Sequence, residues 1–127
     1  MIGLEVEYLD RVPVARYRGD IDAANAAGLH EALIELVGRA ADNLVLDLGT
    51  TPYLDSAGID MLFRLHERLH QRRARLHLVI PSGSQLVRVV EIVALPSVIA
   101  VHETAEEALA ACTTGVRPTG AARARRR

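Results

Sequence analysis

At the start of the chain, apolar residues alternate with acidic ones: Leu4, Val6 and Tyr8 against Glu5 and Glu7. A period of two predicts a strand over Leu4–Leu9. Asp10-Arg11 is a short connection to a second strand over Val12–Arg18, so the pair reads as an antiparallel hairpin. Pro13 near the start of the second strand argues for an edge or first-residue position. Gly19-Asp20-Ile21-Asp22 then breaks the pattern, and Asp22 is a candidate cap for a helix with Ala26, Leu29, Leu33, Leu36 and Val37 at 3–4 spacing. That helix fades between Gly38 and Asp42.

Leu44–Leu48 is a compact strand, apolar apart from Asp47. After the loop Gly49-Thr50-Thr51-Pro52, Asp55-Ser56 precedes a long helix with Ile59, Leu62, Phe63, Leu65 and Leu69 on its inner side. Arg75–Ile80 is a fourth strand. The turn Pro81-Ser82-Gly83-Ser84 leads to a helix through Leu86, Val89, Val90 and Val93, ended by Leu95-Pro96. Val98–His102 is a short last strand. Thr104-Ala105-Glu106-Glu107 matches a capping box, opening a final helix to about Ala111. The order β-β-α-β-α-β-α-β-α implies an α/β fold: a mixed sheet of about five strands with an opening hairpin, packed against about four helices.

Composition narrows this picture. The chain has 127 residues, one domain's worth. Half are hydrophobic but only 3% aromatic, so the core is aliphatic. No apolar run approaches the roughly 18 residues of a membrane span, and the acidic start lacks the basic region of a secretory signal. A single cysteine, Cys112, has no internal partner and fits a reduced, cytoplasmic setting. All 15 basic residues are Arg, and Arg117, Arg123, Arg125, Arg126 and Arg127 crowd the end. Without them the body holds 10 basic against 16 acidic residues, a net of −6. The expected organisation is a domain over 1–113 and a disordered Arg-rich tail over 114–127. An acidic, aromatic-poor body argues against direct binding of nucleic acid.

The segment with most chemistry is Tyr53-Leu54-Asp55-Ser56-Ala57-Gly58-Ile59. It places Asp55 and Ser56 at a helix start, where unpaired N–H groups and the positive end of the helix dipole lie. Read locally, either residue is a helix cap. The small Ala57 and Gly58 allow another backbone or a phosphate to come close.

In the order of its elements the sequence resembles the STAS family (sulphate transporter and anti-sigma factor antagonist). Gly19-Asp20-Ile21-Asp22 resembles the family's Gly-Glu-Leu-Asp turn. Leu44-Val45-Leu46-Asp47-Leu48 resembles its central strand, and Tyr53-Leu54-Asp55-Ser56-Ala57-Gly58 its Asp-Ser-Ser-Gly or Asp-Ser-Ala-Gly loop. The likeness runs from about Leu4 to Ala111. It implies a non-enzymatic anti-sigma factor antagonist. Unphosphorylated, such a protein binds an anti-sigma factor that is a serine kinase and so releases the sigma factor. Phosphorylation at Ser56 switches binding off, and a PP2C-type phosphatase restores it. The implied partner surface is Asp20, Asp22, Asp55, Ser56, Ala57 and Gly58, on a chain that is a monomer when free. The alternative is a STAS subunit of a stress-sensing or lipid-transport complex without sigma-factor control. Ala57 departs from the double-serine form of the loop and leaves one hydroxyl there.

Other signals are weaker. His66-Glu67-Arg68-Leu69-His70 matches H-E-x-x-H on a helix, but no third ligand accompanies it, and the pair reads as a helix flank bordering the apolar stripe. No metal or cofactor is expected. Ser56 lacks the G-x-S-x-G context of a hydrolase nucleophile, and His30, His77 and His102 read as packing or surface residues. No P-loop is present, so the chain itself is not expected to be a kinase.

Overall fold

The computed structural model describes residues 1–38 and 42–114. Of the Arg-rich tail expected over 114–127, all but Thr114 lies outside them. The elements are β1 (Leu4–Leu9), β2 (Val12–Arg18), α1 (Ala26–Leu36), β3 (Asn43–Thr50), α2 (Ser56–Gln71), β4 (Arg75–Val79), α3 (Leu86–Ile92), a 3-10 turn at Leu95–Ser97, β5 (Ala100–His102) and α4 (Ala105–Thr114). The five strands lie in sequence order, β1 antiparallel to β2 and the rest parallel. The order expected from the pattern is the order found.

Local chemistry accounts for most boundaries. Asp10 (φ 51°) and Arg11 (φ 69°) are both left-handed, the conformation a two-residue hairpin needs for its twist to match the strands. Thr104 Oγ1 accepts from Glu107 N at 3.1 Å, as a capping box requires. The Glu107 carboxylate reaches one residue further back than expected and accepts from Glu103 N.

Four expectations need correction. β2 is an interior strand, not an edge. Pro13 is tolerated there because the ladder to β3 begins only at Val14, so its missing N–H takes nothing from that pairing. Asp22 does not cap α1: its carboxylate accepts from Ala24 N in a tight turn, and the helix begins four residues on. The inner stripe of α2 is Gly58, Met61, Leu62, Leu65 and Leu69, with Ile59 and Phe63 only partly buried. The last strand is shortened by the 3-10 turn.

The topology decides where everything else goes. Each parallel step moves the same way across the sheet. Right-handed crossovers therefore set α1, α2 and α3 on one face, where Leu29, Leu33, Leu46, Leu62, Leu65, Leu78 and Leu86 form the main core. Each such leucine contributes roughly 1.5–3 kcal/mol by burial. Among the described residues, α4 covers the other face, packing Ala105, Ala108, Leu109 and Cys112 over Val12, Val14, Val45 and Val79.

That second face is part polar. Arg16 Nε meets Asp47 Oδ2 at 3.1 Å. His77 Nε2 donates to Asn43 Oδ1 at 3.0 Å, leaving Nδ1 to accept from His102 Nε2 at 3.1 Å. The two imidazoles are buried packing groups. Desolvation, then His102 and Arg75, lower His77 to about 4. A charge there would also set two N–H groups against each other.

His77 thus binds a proton less readily when folded than when unfolded. Its contribution to stability is complete above the unfolded value near 6.5 and is lost as pH falls towards 4. Denaturant titrations should show about 1.5 kcal/mol lost between pH 6.5 and 5, a range mostly above carboxylate titration; a flat profile there would contradict this reading. Burial, partly offset by Arg75, pushes the Cys112 thiol up to about 11. At pH 8 it should react with a thiol reagent slowly in the native protein and rapidly in denaturant; equal rates would contradict it.

Candidate functional site

Parallel strands deliver their following loops to one edge of the sheet. The turn after β2 and the loop after β3 therefore meet at the carboxyl ends of those strands. Gly19 N donates to Thr50 O at 3.1 Å, and the hydroxyls of Thr50 and Thr51 both donate to Tyr17 O. Ile21 and Leu54 then form an isolated parallel bridge. Ile21 N donates to Tyr53 O at 3.0 Å, and Asp55 N donates to Ile21 O at 3.2 Å. Both side chains are buried. The bridge sets the Gly19–Asp22 turn directly against the start of α2.

Asp55 completes the join. It is the N-cap of α2, with Oδ1 accepting from Gly58 N at 2.9 Å. Its Oδ2 accepts from Ala23 N, across the gap, at 3.3 Å. One carboxylate thus closes the helix end and holds the facing turn. Because Asp55 is the cap, Ser56 is not. Ser56 is the first residue of α2, exposed, with its hydroxyl at the helix surface. The N–H groups of Ser56 and Ala57 precede the first intrahelical bond, which runs from Ile59 N to Asp55 O.

Of the six candidate site residues, the structure brings Asp22, Asp55, Ser56 and Ala57 together at the edge. Asp20 is exposed on the facing turn, where its carbonyl accepts from the Asn25 side chain. Gly58 differs from the expectation that an outside group approaches it. It is buried, and a Cβ there would sit 2.9 Å from Ile21 O and 3.1 Å from Leu54 Cδ2. Its smallness serves the chain's own bridge. Asp60, one turn into α2, pairs with Arg64 at 2.8 Å. Two participants were not singled out from the sequence. Ile21 carries the bridge, but an isoleucine in a turn gives no signal of that. Tyr53 supplies the carbonyl that Ile21 N bonds and leaves its ring half exposed three residues before Ser56, and an exposed aromatic flanking the motif was the available hint.

With this geometry in view, the comparisons are specific. The STAS domain model matches residues 4–108. The anti-sigma-F factor antagonist RsfB of Mycobacterium tuberculosis is 32% identical over 106 residues, spanning 84% of this chain and 82% of RsfB. The crystal structure of an anti-sigma factor antagonist from Mycobacterium paratuberculosis superposes with a TM-score of 0.74 at 27% identity, covering 85% of this chain and 91% of that one. The Bacillus cell-fate determinant SpoIIAA, in its phosphorylated form, shares the fold with a TM-score of 0.64 at 19% identity, over 86% of this chain and 98% of its own. The chain belongs to the STAS domain family.

The join makes two substitutions informative. Asp55→Ala removes the cap and should cost about 1–2 kcal/mol. Gly58→Ala drives a methyl against a backbone carbonyl and should cost about 1–3 kcal/mol. Urea unfolding checks both. A neutral Gly58→Ala would mean that the two loops are not tightly held.

Proposed function

We propose that this chain is an anti-sigma factor antagonist, a regulatory binding module and not an enzyme, with Ser56 as its phosphorylation switch. The observation that carries the reading is the division of labour at the start of α2: Asp55 takes the cap, leaving the Ser56 hydroxyl exposed. A hydroxyl engaged in capping would have to leave its hydrogen bond to be phosphorylated. This one does not. The names of the relatives, at up to 32% identity over most of both chains, support the same reading.

In the unphosphorylated state the partner is an anti-sigma factor that is itself an ATP-dependent serine kinase. It docks on the edge formed by Asp20, Asp22, Asp55, Ser56 and Ala57. Phosphate adds about −1.5 to −2 charge at that edge, beside Asp55 and close to Asp22. The helix N-terminus accommodates an anion, with the N–H groups of Ser56 and Ala57 as donors. The fold therefore tolerates the phosphate, and the cost falls on the complex, where added negative charge is repelled or left unpaired. A PP2C-type phosphatase reverses the step. Among the described residues no helix is long and apolar enough to cross a membrane.

The test mixes the full chain with its candidate anti-sigma kinase and Mg-ATP, maps phosphate by mass spectrometry and measures affinity before and after. Phosphate should appear on Ser56 and be abolished in Ser56→Ala, which still binds. Phosphorylation should weaken the complex at least 100-fold, about 2.7 kcal/mol. A chain that neither binds nor is phosphorylated by any such kinase would instead be a STAS subunit of another assembly.

A further inference from the structure

The outer part of α2 carries a second arrangement that the switch does not use. His66 and His70 stand one turn apart on the same helix, with ring centroids 5.9 Å apart and planes within 22° of parallel. His66 is half-buried and His70 exposed, so solvent reaches the pair from one side. The Glu67 carboxylate, next along the chain, lies near enough to act on the charge at His66. The pair thus presents two imidazoles one turn apart on a helix face with a carboxylate close by, and an imidazole nitrogen is a common ligand of divalent transition metals.

The distances suit a chelate. Two nitrogens bound at about 2.0–2.1 Å with a tetrahedral angle lie about 3.4 Å apart. Side chains at i and i+4 start about 5–6 Å apart at Cβ, so rotation of the side chains alone closes the gap, and the helix backbone is unchanged. The 16-residue helix, anchored by Met61, Leu62, Leu65 and Leu69, holds the spacing rigid. Among the described residues, no group of three or more His, Cys, Asp or Glu side chains is placed to hold an ion. The expectation of no metal rested on that missing third protein ligand, which a hydrolytic zinc centre needs and an open surface chelate does not.

We propose that His66 and His70 form a two-imidazole surface site for a divalent transition-metal ion of the Zn²⁺ type, with water in the remaining positions and Glu67 supplying negative charge. The site is independent of Ser56 and of the antagonist reading. Its role is ion binding, with no catalytic step attached.

Isothermal titration of the full chain with ZnCl₂ at pH 7.5, in a non-chelating buffer, tests it. One ion per chain should bind with micromolar affinity. His66→Ala and His70→Ala should each weaken binding at least ten-fold, and Cys112→Ser should leave it unchanged. Circular dichroism confirms that the variants are folded, and in NMR spectra zinc should shift the ring resonances of His66 and His70 and not those of His77 and His102. Absence of binding at 100 µM zinc (about a hundred times a one-micromolar constant) would overturn the proposal. So would binding that survives both histidine variants, or binding that is lost in Cys112→Ser.

Discussion

The functional edge depends on one short contact, the two backbone hydrogen bonds between Ile21 and the segment Tyr53–Asp55. They extend the pairing of β2 and β3 past the ends of both strands and force two connecting loops to run side by side. Everything at the site follows from that proximity. Asp55 can reach Ala23 only because Ile21 has brought the turn alongside, and residue 58 must be glycine-sized because Ile21 O lies against it. The hydroxyls of Thr50 and Thr51, both bonded to Tyr17 O, brace the same join from the strand side.

On the proposed reading this arrangement separates holding from signalling. Asp55 bears the structural duty at the helix end, and Ser56, next along the chain, is left exposed. On the proposed reading the same helix terminus serves both states, because its free N–H groups suit water or phosphate equally well. The switch then needs no second conformation of the chain. It works by changing the charge of a surface whose backbone is already fixed.

Much of this was legible in the sequence because the governing patterns are local. The alternation of Leu4–Leu9 marked β1, the 3–4 spacing of apolar residues marked α1, the compact apolar run Leu44–Leu48 marked β3, and the Thr104 to Glu107 box marked the start of α4. The monotonic strand order was not written in any one segment; it follows from right-handed crossovers between successive parallel strands. What was least legible involved residues distant in sequence. Asp55 and Ser56 were equally good caps on paper, and only the position of Gly58 N relative to Asp55 Oδ1 chose between them. His77 and His102 read as packing or surface residues, because nothing local reveals that the pairing of β3, β4 and β5 sets the two rings against each other with Asn43 beyond. Pro13 pointed to an edge or a first-residue position, and the second is nearer the outcome: β2 is interior, but Pro13 is its second residue and the ladder to β3 starts one residue later.

The central claim is that a phosphate at Ser56 changes the surface and leaves the fold alone. The most direct test compares amide NMR spectra and hydrogen exchange of the chain with and without phosphate at Ser56. The account predicts shifts confined to the first turn of α2 and the facing turn from Gly19 to Asn25, with exchange protection in β2, β3 and β4 unchanged. Shifts spreading through the sheet, or loss of protection around the Ile21–Leu54 bridge, would show that the phosphate opens the join and would contradict it.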